Sequence, residues 1–462
     1  MSLEIANIFY AIGYAEHPSG STGTFDILVD LGGLTPKAAI FFYLPDTEAA
    51  LQTAGATNYP SLGFTDGTNQ VCYTHGAEDN SGRSDHKSRG YTAEVAAHFN
   101  ASGSGGDDDV QINFDSWRTT AQTGTDQTGV RLAMGKNNDS VTFVVGALFF
   151  AGSDFQAAVG VTALSTQDTF VDETSPGFQP EVVIGITAPD FSDTTTHGFH
   201  HSLGFAYHDG ASLVSFYDAI FGEDNGDPAD SKKTADATAN HFGMHFTGSY
   251  LAQDEVEIGQ FDSSGFSLRA RGADATDDVV CIAMDFGGVL GIDLRTLPLS
   301  TSFNLTENID GFGWQPGLLF SLNGIGEGTD ASGSQDMRMT MAATVRNRVT
   351  GKAETIGTHC GWDAGGTNHN AAGGTNVGEA RSETVQDFSW SYSISVIGFN
   401  ASEEWLLPEF HGDGYTNFVT GNQPTQIMDH NLLLGIQDPA PPLSPELLAA
   451  PELFIAPPTF RM

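Results

Sequence analysis

The chain has 462 residues, room for about three domains at roughly 150 residues each, and carries 55 glycines, 32 phenylalanines and only 16% charged residues. Its 18 Lys and Arg against 58 Asp and Glu give a formal charge of −40. A field of that sign repels phosphate backbones and argues against nucleic acid as a partner.

With 39% hydrophobic and 10% aromatic residues the chain can fill cores, so the acidity reads as a solvated shell on folded domains. The start, MSLEIANIFYAIGYAEHPSG, has no basic stretch followed by an apolar one, and no segment approaches the length of a membrane span. Synthesis in a cytoplasm without a signal peptide, and no membrane insertion, are the expectations. Cys72, Cys281 and Cys360 lie far apart with no CxxC pair, which suggests buried thiols and neither a disulfide framework nor a zinc knuckle.

In chain order, the first element is GLTPKAAIFFYLP, Gly33 to Pro45. Pro36 starts a strand where no ladder N–H is needed, and the run behind it is too apolar to be exposed on either face. SLGFTDG, Ser61 to Gly67, is a second strand with its turn. The loops that follow, HGAEDNSGRSDHKSRG and SGSGGDDD, have turn chemistry. Asp107, Asp108 and Asp109 offer hard oxygen ligands, so a loop calcium is the one cofactor the region admits, beside the plainer reading of solvated acidic turns. VQINFDSW, Val110 to Trp117, and VTFVVGALFFAG, Val141 to Gly152, complete this set.

The set then recurs. GFQPEVVIGITAP (Gly177 to Pro189), SLGFAYHDG (Ser202 to Gly210), VEIGQFDSSGFSLRARG (Val256 to Gly272) and VVCIAMDFGG (Val279 to Gly288) follow in the same order. A third round begins with GWQPGLLFSLNG, Gly313 to Gly324, and continues with VQDFSWSYSISVIGFN, Val385 to Asn400, but no closing strand is legible after Trp405. Phe114, Phe261 and Phe388 come 78, 81 and 72 residues after Pro36, Pro180 and Pro316. Ordered landmarks at nearly constant spacing define an internal repeat. Short strands between Gly-, Asp- and Asn-rich turns make each unit an antiparallel β-sandwich of jelly-roll or related topology. The reading is all-β, with three tandem sandwiches over residues 1–162, 163–298 and 299–437.

From 438 to 462 the character changes to DPAPPLSPELLAAPELFIAPPTFRM. Proline at this density favours extended chain, yet Leu447, Leu448, Leu453, Phe454, Ile455 and Phe460 are too apolar to be left in water. The expectation is an extended arm that lies on a partner surface.

Candidates for chemistry are few. His197, His200, His201 and His208, with His241 and His245, have the residue types of a metal site, but Gly243 interrupts any helical period and no third ligand can be placed. Half-buried sandwich histidines are the better reading, and no metal is assigned. The loop Glu223, Asp224, Asn225, Gly226, Asp227 offers calcium the same hard oxygens as Asp107 to Asp109, but neither has the EF-hand spacing, and solvated acidic turns are the better reading of both. There is no GxSxG, no P-loop and no GxGxxG between strand and helix, so no catalytic residue is assigned and the protein is expected not to be an enzyme. Trp117, Trp362, Trp390 and Trp405 could stack on sugars, although tryptophan in a sandwich more often fills the core.

At the three Gly-apolar-x-Pro phrases the chain resembles tandem β-sandwich virion structural proteins of tailed phages, over roughly residues 22 to 400. FDSSGFSL, Phe261 to Leu268, fits that pattern well, whereas FDSWRTTAQTG in the first round and FSWSYSISV in the third depart from it. The ending LLAAPELFIAPPTF is similar to apolar, proline-rich endings of such proteins. The resemblance implies a particle component, such as a capsid decoration, turret, head spike, or tail or baseplate appendage. It also implies homo-oligomerisation and other virion proteins as partners, and carries over no catalytic residue. A host-surface glycan-binding adhesin is the alternative.

Overall fold

The computed structural model describes residues 7–439 except 18–21, 45–56, 59–60, 81–82, 100–107, 138–142, 165–166, 189–195, 198, 209–211, 223–230, 237–239, 247–252, 272–276, 289, 298–304, 326–336, 348–352, 363–388, 397–398 and 422–427. The described chain is almost wholly antiparallel strand, with a single helical turn at Thr120–Thr123.

Three copies of one plan follow each other. Each has a leading strand (Ile8–His17, Gln156–Leu164, Ile292–Leu297), an entry strand at the repeated proline (Ala38–Leu44, Val182–Ala188, Pro316–Ile325) and a closing strand (Phe143–Gly152, Asp277–Asp285, Met428–Gln437). In the larger sheet the closing strand pairs with both of the others. From the entry strand the sheet continues as a meander through a second strand (Ser61–Thr65, Phe199–His208, Met337–Arg346) and a third (Gln70–Asn80, Leu213–Gly222, Ala353–Trp362).

The smaller sheet has four strands in each copy. Its order is Gly23–Val29, Thr128–Asn137, Asp108–Arg118, Ala96–Phe99 in the first copy and Val171–Glu173, Gly265–Arg271, Gln253–Asp262, His241–Phe246 in the second. In the third it is Leu305–Ile309, Gly414–Gly421, Phe399–His411, Ser389–Val396. Each sandwich thus joins one meander per sheet to leading and closing strands that pair across long stretches of chain, a topology related to that of a jelly roll.

The apolar entry and closing strands have no solvated face because the larger sheet is covered on both sides. Side chains alternate along a strand, so Ala39, Phe41 and Tyr43 pack with Ile27, Val29 and Val110 inside the first sandwich. Their neighbours Ala38, Ile40 and Phe42 point the other way, into one core shared with Val182, Ile184 and Ile186 of the second copy and Leu318, Phe320 and Leu322 of the third. Phe320 lies 5.1 Å from Phe205 and 6.1 Å from Phe42, centroid to centroid, so one ring from each copy meets there.

The packing order is cyclic. The leading strand Gln156–Leu164 packs on Ser61–Thr65 and Gln70–Asn80 of the first copy, and Ile292–Leu297 packs on Phe199–His208 of the second. Ile8–His17 packs in the same way on Met337–Arg346 and Ala353–Trp362 of the third. The three larger sheets therefore face inward around a pseudo-threefold interior, with the smaller sheets outside.

The glycine of the SLGF landmark has a steric cause. A Cβ at Gly63 would lie against the Val95 carbonyl, and one at Gly204 against that of Phe242, because an edge strand of the smaller sheet crosses directly above. The register puts Ala342 at this position in the third copy, and the glycine there is its cross-strand partner Gly357, whose Cβ would meet Ala342 Cβ at 2.6 Å.

Several boundaries move. Gln156–Leu164 pairs along its length with Asp277–Asp285, so the first join lies at residues 153–155 and a boundary at 162/163 would cut a strand. Ile292–Leu297 pairs with Met428–Gln437, which places the second join at 286–291 and not at 298/299. Each leading strand finds its partner more than a hundred residues away, so nothing local in the sequence marks it as the start of a unit. Asp438 also belongs to the third sandwich: it is buried, its N–H donates to Gln315 O at 2.8 Å and its carboxylate takes Arg346 Nη1 at 2.7 Å.

Phe388 lies outside the described residues, and the register gives the role of Phe261 to Phe410. Phe261 pairs with Phe266 across a tight hairpin, as Phe410 pairs with Tyr415. The hairpin FHGDGY therefore matches FDSSGF. The third closing strand is MDHNLLLGIQ.

Candidate functional site

Among the described residues, two places concentrate unusual geometry: the joins between copies and one cluster of charges on the second smaller sheet. At the joins, the variable residue after each repeated proline touches the chain leaving its own sandwich. Lys37 Nζ donates to Phe155 O at 2.8 Å, and Glu181 Oε2 accepts from Phe286 N–H at 2.7 Å. Burial raises the Glu181 carboxyl above its ordinary range, against the lowering effect of that N–H. In the third copy the position is Gly317, where a Cβ would collide with Tyr10 Oη and lie 2.6 Å from Asp438 Cα. Tyr10 uses the space to donate to Gln437 O at 3.1 Å, which ties the first leading strand to the third closing strand.

The cluster stands on neighbouring strands. His241 Nδ1 is 2.7 Å from Glu255 Oε1, and a ligand atom from each of His241, Glu255 and Glu257 falls within 4.8 Å of the others. Alternation along Gln253–Asp262 puts both glutamates on one face. The next strand sets Arg269 opposite Glu257 and Arg271 opposite Glu255. Buried Glu257 receives Arg269 Nη2 at 2.5 Å on one oxygen and Arg271 Nε at 2.8 Å on the other. Donor types and spacing would suit a cation, but two guanidiniums already neutralise the most buried carboxylate. The arrangement is a cross-strand ion-pair ladder of the kind a buried charge requires.

His241 is thus brought to carboxylates, while His208 stacks on Phe261 at 5.6 Å. The side chains of His197, His200, His201 and His245, the loop 223–227 and Asp107 lie outside the described residues. So do Leu447, Leu448, Leu453, Phe454, Ile455 and Phe460. Trp117 covers Gly67 and packs edge-on against Phe114 at 4.7 Å, and Trp314 covers Gly291 and meets Phe312 at 4.9 Å. Both are turn-covering residues of the sandwiches. The join residues Tyr10, Gly317 and Asp438 were not singled out by the sequence reading; their one signal is that the phrase varies at Lys37, Glu181 and Gly317 alone between proline and apolar run.

No family model, no curated protein and no solved structure matches this chain.

Proposed function

We propose that this protein is a structural component of a tailed-virus particle, held there through its C-terminal arm and by contact with further copies of itself and other virion proteins. The observation that supports this most is the single interior shared by three sandwiches. A chain built so is a rigid, acidic block that repeats one set of loops around its axis, and rigid repetition suits a part seated on a symmetric assembly. The resemblance of the three Gly-apolar-x-Pro phrases to virion proteins points the same way.

The test is mass spectrometry of purified particles, with a variant lacking residues 440–462. Asp438 is retained because it closes the third sandwich. Wild-type protein should appear in particles at stoichiometric level, and the truncated protein should fold yet be lost from them. Absence of the wild-type protein from particles, with abundance only in the infected-cell lysate, would refute the proposal.

A further inference from the structure

The third sandwich meets the first without a covalent link from 438 to 7, whereas residues 153–155 and 286–291 bridge the other two joins. We propose that this seam is a specific interface equivalent to the bridged ones, so that the ring is closed and the order of the copies along the chain is interchangeable.

Three independent observations carry this. The leading strand Ile8–His17 occupies on the third copy the seat that Gln156–Leu164 and Ile292–Leu297 occupy on the first and second. The residue after the repeated proline touches the outgoing chain at every join: Lys37 at Phe155, Glu181 at Phe286, and Gly317 at Asp438, with Tyr10 filling the space a side chain would take.

The third observation is a knob and hole at the seam itself. A Cβ at Gly146 would overlap Ile356 Cδ1 and lie 2.8 Å from its Cγ1. The paired registers put Val280 and Leu432 at the position of Gly146 in the other copies. A glycine stands only where the third copy's isoleucine enters. A chance encounter of two apolar faces would not need a missing side chain opposite one methyl group.

The experiment uses the full chain. In a Gly146→Cys, Ile356→Cys double variant the two Cβ atoms lie at most about 4.3 Å apart, within the disulfide range. Mild oxidation should give an intramolecular disulfide, seen as a monomer of increased mobility on a non-reducing gel and as linked peptides by mass spectrometry. Neither single variant should give it. Links formed only between chains, or none in a protein with native circular dichroism, would overturn the proposal.

A second arm guards against a variant that fails to fold. A circular permutant that begins at Asp154, joins Met462 to Met1 and ends at Ser153 keeps every residue. It should be monomeric and melt in one transition. Separate melting of the first copy, or failure to fold, would equally overturn interchangeability.

Discussion

Phe320 is 1% exposed and touches aromatic rings of both other copies. Truncating a buried phenylalanine costs about 3–5 kcal/mol, since the surroundings collapse only partly around the cavity. Phe320→Ala should lower stability by that amount in urea unfolding, although it alters only the third sandwich in sequence. His98 is a residue of the opposite kind, polar and buried against Tyr43, with ring centroids 6.0 Å apart. Burial drives its pKa down to about 3. The folded value lies below the unfolded one, so the unfolded chain binds the extra proton. The contribution of a neutral His98 is therefore fully present above about pH 6.5 and is lost as pH falls toward 3. Urea midpoints at pH 7, 5 and 4 should fall more steeply for wild type than for His98→Leu; parallel declines would show that His98 does not titrate on unfolding.

At the scale of strands, the crossing of the smaller sheet over the SLGF glycines makes a sharp demand. Gly63→Val and Gly204→Val place a branched side chain where the carbonyls of Val95 and Phe242 already stand. Overpacking of this kind costs about 1–3 kcal/mol, and more where backbone must move. Each variant should lower the melting temperature, whereas valine at exposed Gly412, which has open space around it, should leave it nearly unchanged. The same strands show what was legible in the sequence. An entry strand such as VVIGITA announces burial on both faces, because no polar residue alternates along it. It does not say what covers the second face, so sandwiches with separate cores and a shared interior read alike. The leading strands were missed for a different reason: QAAVGVTAL is short and partly exposed, and its partner lies far along the chain. Spacing from Pro316 points to Phe388, but the signal that marks the hairpin is its Gly-aromatic step, shared by Gly265–Phe266 and Gly414–Tyr415. The His241 cluster needed the register, since His241, the pair Glu255 and Glu257, and Arg269 stand on three different strands and come together only through their pairing.

For the whole molecule, the decisive quantity is how much of each copy's stability resides in the shared interior. Ile40, Phe42, Leu62, Phe64, Leu148 and Phe150 of the first copy are fully or almost fully buried in it. Burying such a side chain contributes about 1.5–3 kcal/mol. Six of them amount to roughly 10 kcal/mol or more, comparable to the whole net stability of a typical domain at about 5–15 kcal/mol. A copy that lost its neighbours would expose this face and could not keep it in water. Unfolding one sandwich must therefore withdraw support from the other two, in contrast to a linear array in which each unit answers only to its neighbours. Calorimetry should accordingly show one endotherm for all three copies, with calorimetric and van't Hoff enthalpies equal. Phe320→Ala should shift that endotherm as a unit. Three resolved transitions, or a van't Hoff enthalpy near a third of the calorimetric one, would mean that the sandwiches stand on their own cores and that the interior contributes little.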